Sequence, residues 1–126
     1  MKAVVYDAGA LIAAERNDRR TWAEHRVRLE MGILPLVPAT VLAQVSRSRS
    51  QAQLHRFLRG CDLVAFDAKR AHASGALLAK SKTSDVIDAS VVELAASRGA
   101  DVVTTDVEDI GRLVASSRHR IRVVAT

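Results

Sequence analysis

The chain reads as an α/β domain built on a mainly parallel central sheet with helices on both faces. Short apolar runs alternate with segments whose apolar residues recur at helical spacing, the pattern of strand–helix–strand units. Several of these runs end on an acid, as Val4-Val5-Tyr6-Asp7 does, which is how such a sheet presents carboxylates at its edge. Nearly half of the residues are hydrophobic (48%) but only 3% are aromatic, so Ala, Val and Leu must fill the core. That composition suits helices packed closely on a parallel sheet. At 126 residues the chain reads as one domain, 1–126, large enough to bury its own core.

Residues 2–6 form a fully buried strand. Ala8 and Gly9 then make a small turn, and a helix begins at Ala10 to Ala14 and breaks near Asn17-Asp18. A second helix, Arg20 to Met31, is strongly charged and faces solvent; Gly32 stops it. Leu34 to Val37 is a short strand whose proline suits a strand start or edge. Pro38 opens a helix through Val41, Leu42 and Val45, and the Ser-Arg-Ser-Arg-Ser run at 46–50 breaks it. Leu54, Phe57 and Leu58 mark an amphipathic helix over 51–59, ended by Gly60. Leu63 to Phe66 is the third strand, and Asp67 caps a helix running to about Lys80. Lys80 to Ser84 is a loop. Ile87, Val91, Leu94 and Ala95 define the core face of the next helix, closed by Gly99. Val102 to Thr104 is the fourth strand, a helix follows with Val107, Ile110, Leu113 and Val114 inward, and Ile121 to Val124 is the last strand.

Several function classes drop out. A lone cysteine, Cys61, makes no internal disulfide or zinc cluster and fits a reducing cytosol. His25, His55, His72 and His119 lie far apart and read as solvated surface residues. Asp7 interrupts the first apolar run too early for a signal peptide, and no stretch approaches the roughly 18 apolar residues of a membrane span. A soluble, cytoplasmic protein is expected. The formal charge is +5, carried mainly by Arg, which draws nucleic acid through phosphate contacts or suits an acidic protein partner.

Against that basic background stand three acid clusters: Asp7, Asp85 with Asp88, and Asp106 with Glu108 and Asp109. Ligands of open α/β sheets bind beyond the carboxyl ends of the strands. Asp7 and Asp106 both lie on that edge, and they meet only if the first and fourth strands are neighbours. Asp85 and Asp88, three apart, share one face of a helix's first turn. Converging carboxylates suit Mg²⁺ or Mn²⁺, which take hard oxygen ligands, and a bound metal activates water against a phosphodiester. Helix capping explains any one of these acids as well. Asp85 reads equally as cap or ligand, Asp109 as ligand or hydrogen-bonding support, Thr105 with Glu108 fits a capping box, and Asp67 reads as a cap alone. Asp7 stands without an acid beside it, where the small turn exposes it.

The sequence resembles the PIN domain family, and within it the VapC-type toxins of bacterial toxin–antitoxin pairs. The resemblance runs nearly the whole chain, through Val-Tyr-Asp-Ala-Gly-Ala-Leu-Ile at 5–12, Val-Pro-Ala-Thr-Val-Leu-Ala-Gln-Val-Ser-Arg at 37–47, Ser-Asp-Val-Ile-Asp-Ala at 84–89 and Val-Val-Thr-Thr-Asp-Val-Glu-Asp-Ile at 102–110. It implies a three-layer α/β/α sandwich and Mg²⁺- or Mn²⁺-dependent endoribonuclease activity on tRNA or rRNA. The implied catalytic acids are Asp7, Asp88 and Asp106, with Asp109 and Asp85 supporting the metal. Where the family usually has Glu, this chain has Gln44, which offers a neutral oxygen and no charge; Thr105 is a further candidate beside the acids. The resemblance also implies a homodimer and a cognate antitoxin covering the acidic cleft. Arg47, Arg49, Arg56 and Arg59 could line an RNA path, or simply form a solvated helix face.

Two rivals remain. A phosphoacceptor receiver domain wants paired acids after its first strand and a Lys at a later strand end, whereas Asp7 stands alone and Thr104-Thr105-Asp106 occupies that end. A non-catalytic RNA- or protein-binding module that keeps the fold without the metal is the reading that Gln44 favours.

Overall fold

The computed structural model describes residues 2–83 and 85–126; Met1 lies outside them, as does Ser84, which the sequence places at the end of the loop before the second acid cluster. The strands are β1 (Ala3–Tyr6), β2 (Leu34–Pro38), β3 (Asp62–Val64), β4 (Asp101–Thr104) and β5 (Val123–Ala125). They form one sheet in the order β3-β2-β1-β4-β5, and every pairing is parallel. β1 is the centre: Val5 stands opposite Leu36 of β2 on one side and Val102 of β4 on the other. Its four residues are all buried, as expected of a strand covered on both faces.

Helices α1 (Ala8–Glu15), α2 (Arg19–Glu30), α3 (Ala39–Val45) and α4 (Ala52–Leu58) connect β1 to β2 and β2 to β3. Helices α5 (Ala68–Ser81) and α6 (Val86–Arg98) carry the chain back from β3 to β4, and α7 (Val107–Ser117) leads to β5. Parallel crossovers are right-handed, so the reversal of direction at β3 moves α5–α7 to the opposite face from α1–α4. The packing agrees, since α1 lies against α2, α3 and α4 while α5, α6 and α7 lie against one another. The result is the three-layer α/β/α sandwich. Leu11 and Val41 bury against one face of the sheet; Val91, Val92, Leu94 and Leu113 come from the helices of the other.

Most boundaries lie within a residue or two of the sequence reading, and three of the differences have a plain cause. α1 starts at Ala8, directly after β1, because Asp7 takes an extended backbone and caps it. The third strand is Asp62–Val64, where the parallel register with β2 is available, and excludes Phe66. The last is Val123–Ala125, since β5 pairs with Val102 to Thr104 only from Val123 onward.

The larger correction concerns α2 and its histidine. His25 is buried, not solvated: its Nδ1 shares a hydrogen bond of 2.8 Å with the Tyr6 hydroxyl, and its ring stacks on Phe57 with centroids 3.9 Å apart. Arg28 donates to the Tyr6 oxygen at 3.3 Å. α2 therefore shows its charges to solvent on one side and closes the core with His25, Thr21 and half-buried Trp22 on the other. Burial, reinforced by Arg28, lowers the His25 pKa to about 4, while burial raises Tyr6 to about 12.

The lowered His25 pKa fixes a sign. Below the ordinary value of 6.5 the unfolded chain takes up a proton that the folded chain refuses until about pH 4, so stability present above pH 6.5 is lost as pH falls through that window. His25→Gln, which cannot charge but still offers Tyr6 an acceptor, removes this component. Urea midpoints measured from pH 7.5 down to 4.5 should therefore fall more steeply for the parent than for the variant; parallel curves would show that His25 is not held neutral.

Candidate metal centre

The strand order reverses between β1 and β4, and this places the ends of those two strands side by side. A crevice at such a reversal is where open α/β sheets hold ligands. Asp7 follows β1 and Asp106 follows β4, so the condition for these two acids to meet is fulfilled. The N-terminus of α6, with Asp85 as its cap and Asp88 in its first turn, opens on the same edge.

Asp7 is buried, contrary to the exposed turn read from sequence, with only 5% of its surface accessible. One carboxylate oxygen accepts the Ala8 N–H at 2.6 Å and the other accepts the Thr104 hydroxyl at 2.5 Å. Thr104 is itself fully buried, and its oxygen accepts the Asp106 N–H at 2.9 Å. One hydroxyl thus ties Asp7 to the loop that carries Asp106. Gly9 shows why the turn residue after Asp7 and Ala8 is so small: a Cβ there would stand 2.0 Å from Thr105 Oγ1. Only a bare backbone lets α1 approach that loop so closely.

Around this buried anchor, one carboxylate oxygen from each of Asp88, Asp106 and Asp109 lies within 4.8 Å of the others. Asp106 caps α7 by accepting the Asp109 N–H at 3.2 Å, and Asp85 caps α6 by accepting the Asp88 N–H at 3.0 Å. Asp106 therefore both caps a helix and joins the cluster, while Asp88 and Asp109 supply the N–H groups that Asp85 and Asp106 cap. The capping box read at Thr105 and Glu108 is not formed; Asp106 takes the capping position and Glu108 pairs with Arg112 at 3.0 Å. Partial burial, then the charges of Asp85, Asp7, Asp106 and Asp109, push the Asp88 pKa up to about 7. Asp109 is also raised, first by a hydrogen bond shared with Asp106 and then by that residue's charge. Oxygen-only donors crowded at this spacing are what a hard divalent cation requires.

The remaining candidates scatter. Gln44 is exposed, its side chain without a hydrogen bond among the described residues, one helical turn beyond Thr40, whose hydroxyl meets Ser90 of α6 at 2.6 Å. Thr105 packs over Gly9, and its neighbour Thr104 makes the contacts to the acids. Arg56 lies flat over the Trp22 ring at 4.4 Å, and Arg47 donates to the Ser46 carbonyl at 3.0 Å. Arg49 and Arg59 are exposed.

Sequence reasoning missed Thr104 and Gln51. Buried Gln51 accepts the Arg47 and Ser48 N–H groups and donates to Glu15 and Val45, which shapes the Ser-Arg-Ser-Arg-Ser loop. A buried Thr at a strand end followed two residues later by an acid is a signal that could have found Thr104. Gln51 at the start of a helix gave none.

A family model described as PIN domain matches residues 4–113. No curated protein matches by sequence. Among solved structures, the chain is similar to VapBC2 from Rickettsia felis bound to a promoter DNA fragment, with 17% identity over 98% of each chain and a TM-score of 0.76. It is also similar to DNA-bound VapBC from Salmonella typhimurium, with 20% identity over 99% of this chain and 98% of the other and a TM-score of 0.73. FitAcB from Neisseria gonorrhoeae follows at 13% identity, 96% coverage of each chain and a TM-score of 0.67.

Two outcomes are expected from this geometry. Unfolded Asp88 ionises near 3.8 and folded Asp88 only near 7, so stability present at acid pH is lost as pH rises through that interval in ion-free protein. Asp88→Asn should raise the ion-free melting temperature by a few degrees at pH 8 and by little at pH 4; equal shifts at both would show that the Asp88 pKa is not raised in the fold. Thr104→Val keeps the shape but strands both an Asp7 oxygen and the Asp106 N–H, costing about 1–3 kcal/mol in urea denaturation. A loss well under that range would mean water replaces the hydroxyl.

Proposed function

The chain belongs to the PIN domain family, and we propose that it is a divalent-metal-dependent endoribonuclease, a hydrolase that cuts structured cellular RNA such as tRNA or rRNA. We propose further that it is the toxin of a toxin–antitoxin pair, acting as a cytoplasmic homodimer held in check by a cognate antitoxin. The observation that carries the reading is the convergence of Asp88, Asp106 and Asp109 within 4.8 Å on an edge where Asp7 is locked in place. The similarity to VapBC and FitAcB, whose names join two components, supports an antitoxin partner. Among the described residues no helix is long and apolar enough to cross a membrane.

Asp88, Asp106 and Asp109 are the residues that would hold Mg²⁺ or Mn²⁺, with Asp7 at the buried end and Asp85 at the rim. Bound there, the ion supplies Lewis acidity at the phosphodiester and an acidified water as nucleophile. The chain's own contribution is orientation. Thr104 and the Ala8 N–H use Asp7 as an acceptor on both oxygens and fix its rotation, and the caps on α6 and α7 fix Asp85 and Asp106. Such support is what keeps metal-binding carboxylates aimed.

A second reading, a catalytically weak or inactive RNA- or protein-binding module, is favoured by Gln44 alone. That side chain adds no charge to the cluster and lies exposed.

The deciding measurement is cleavage of total cellular RNA by purified protein with Mg²⁺, with Mn²⁺ and with EDTA, beside Asp7→Asn. Discrete fragments that require metal and vanish in the variant are expected. Folded protein that cuts nothing under any of these conditions would instead support the binding module. In the same assay Gln44→Glu should lower the Mn²⁺ concentration for half-maximal activity several-fold, and an unchanged titration would show that residue 44 does not reach the metal.

A further inference from the structure

We propose that Lys82 and Arg112 are the phosphate-binding residues of the site, so that an RNA strand crosses the acid cleft on the α5–α7 side; this rests on the nuclease reading above. The starting point is charge. Asp88, Asp106 and Asp109 crowd within 4.8 Å of one another, Asp85 lines the same cleft, and Asp7 is tied to Asp106 through Thr104, so five acids share one edge of the sheet. A single divalent ion leaves that edge negative, and a polyanion cannot settle on it without further cations. The cleft beside the cluster, about 290 Å³, is lined by Asp85, Asp88 and Asp109 together with Thr83 and Leu113, and its basic lining residues are Lys82 and Arg112.

Both are placed for this task. Arg112 lies one turn beyond Glu108 on α7, where its guanidinium pairs with Glu108 at 3.0 Å and with Asp109 at 3.4 Å. It remains 62% exposed, so these pairs are weak and readily exchanged. Asp109 also belongs to the three-carboxylate cluster. A cation held at Asp109 would compete with Arg112 for that carboxylate, leaving beside the cleft a guanidinium fork suited to the two oxygens of a phosphate. Lys82 ends α5 in a left-handed backbone (φ 58°) with its N–H bonded to the Leu78 carbonyl at 2.9 Å, which sets where its side chain leaves the chain.

The opposite side of the molecule offers less. Arg56 is engaged on the face of Trp22, and Arg47 is turned to the Ser46 carbonyl. The RNA path read from sequence through Arg47, Arg49, Arg56 and Arg59 is thus the competing arrangement.

The test is fluorescence anisotropy of a labelled short single-stranded oligoribonucleotide on protein carrying Asp7→Asn, with Mg²⁺ present and over a range of salt. Adding Arg112→Gln or Lys82→Asn, the latter a residue that tolerates the left-handed backbone, should weaken binding roughly 3- to 10-fold and lower the salt slope by about 0.7 each. Arg112→Lys should keep the slope. RNA binding that is unchanged in both variants, or that falls with Arg47→Gln and Arg49→Gln instead, overturns this assignment and leaves the nuclease reading standing. Absence of any RNA binding by the parent overturns both.

Discussion

The hydroxyl of Thr104 is the point on which the site depends. It is buried at the end of β4, donates to Asp7 at the end of β1, and accepts the N–H of Asp106. Those two strands are neighbours only because the chain reverses direction across the sheet after β3. A parallel sheet makes this juxtaposition far apart in sequence, since Asp7 and Thr104 stand 97 residues apart. Sheet topology therefore decides whether the first and last acids can cooperate, and one side-chain hydrogen bond turns proximity into fixed geometry. Asp7 is held on both oxygens, so it cannot turn away from its neighbours' repulsion.

That repulsion is concentrated rather than diffuse. Asp88, Asp106 and Asp109 stand within 4.8 Å of one another, and burial first and then the neighbouring charges raise the Asp88 pKa. The opposing stabilisation comes from the helices that carry them. α6 buries Val91, Val92, Leu94 and Ala95, and α7 buries Ile110 and Leu113, directly behind the acids. Asp85 and Asp106 also cap these same helices, so part of the negative charge is favourable to the helix termini even while it is unfavourable to its neighbours. Capping residues and clustered residues thus alternate along the same two first turns and share Asp106, which is why capping alone explained so much of the pattern in the sequence.

The elements were legible because their signals are local. Apolar runs gave the strands of an α/β sheet, Gly99 and Gly32 marked helix ends in left-handed backbone, and the clustered acids lay at strand ends and first turns. What could not be read were contacts set by topology. His25 looked like one more polar residue on a charged helix, yet the fold turns it inward to Tyr6 and Phe57. Asp7 looked exposed because Ala-Gly follows it, but the small residues permit close approach rather than openness. Gln51 sits in a polar stretch and became the bracket of a loop. Thr104 and Thr105 are indistinguishable in type; strand alternation puts one inward and the other over Gly9, and only the inward one reaches the acids.

The same logic explains how a chain of net charge +5 can carry so acidic an edge. Overall charge acts at long range and draws a polyanion toward the protein, but within a Debye length local charges dominate. At the cleft the local sum is negative, and Lys82 and Arg112 are the cations that border it. In the ion-free state Arg112 pairs with Glu108 and Asp109, which opposes the rise that Asp106 causes in the Asp109 pKa. A divalent ion would take over that neutralising role at Asp109 and free the guanidinium for a different anion. The acid cluster and its bordering cations are therefore one electrostatic unit, in which each charge that arrives changes what its neighbour is free to bind.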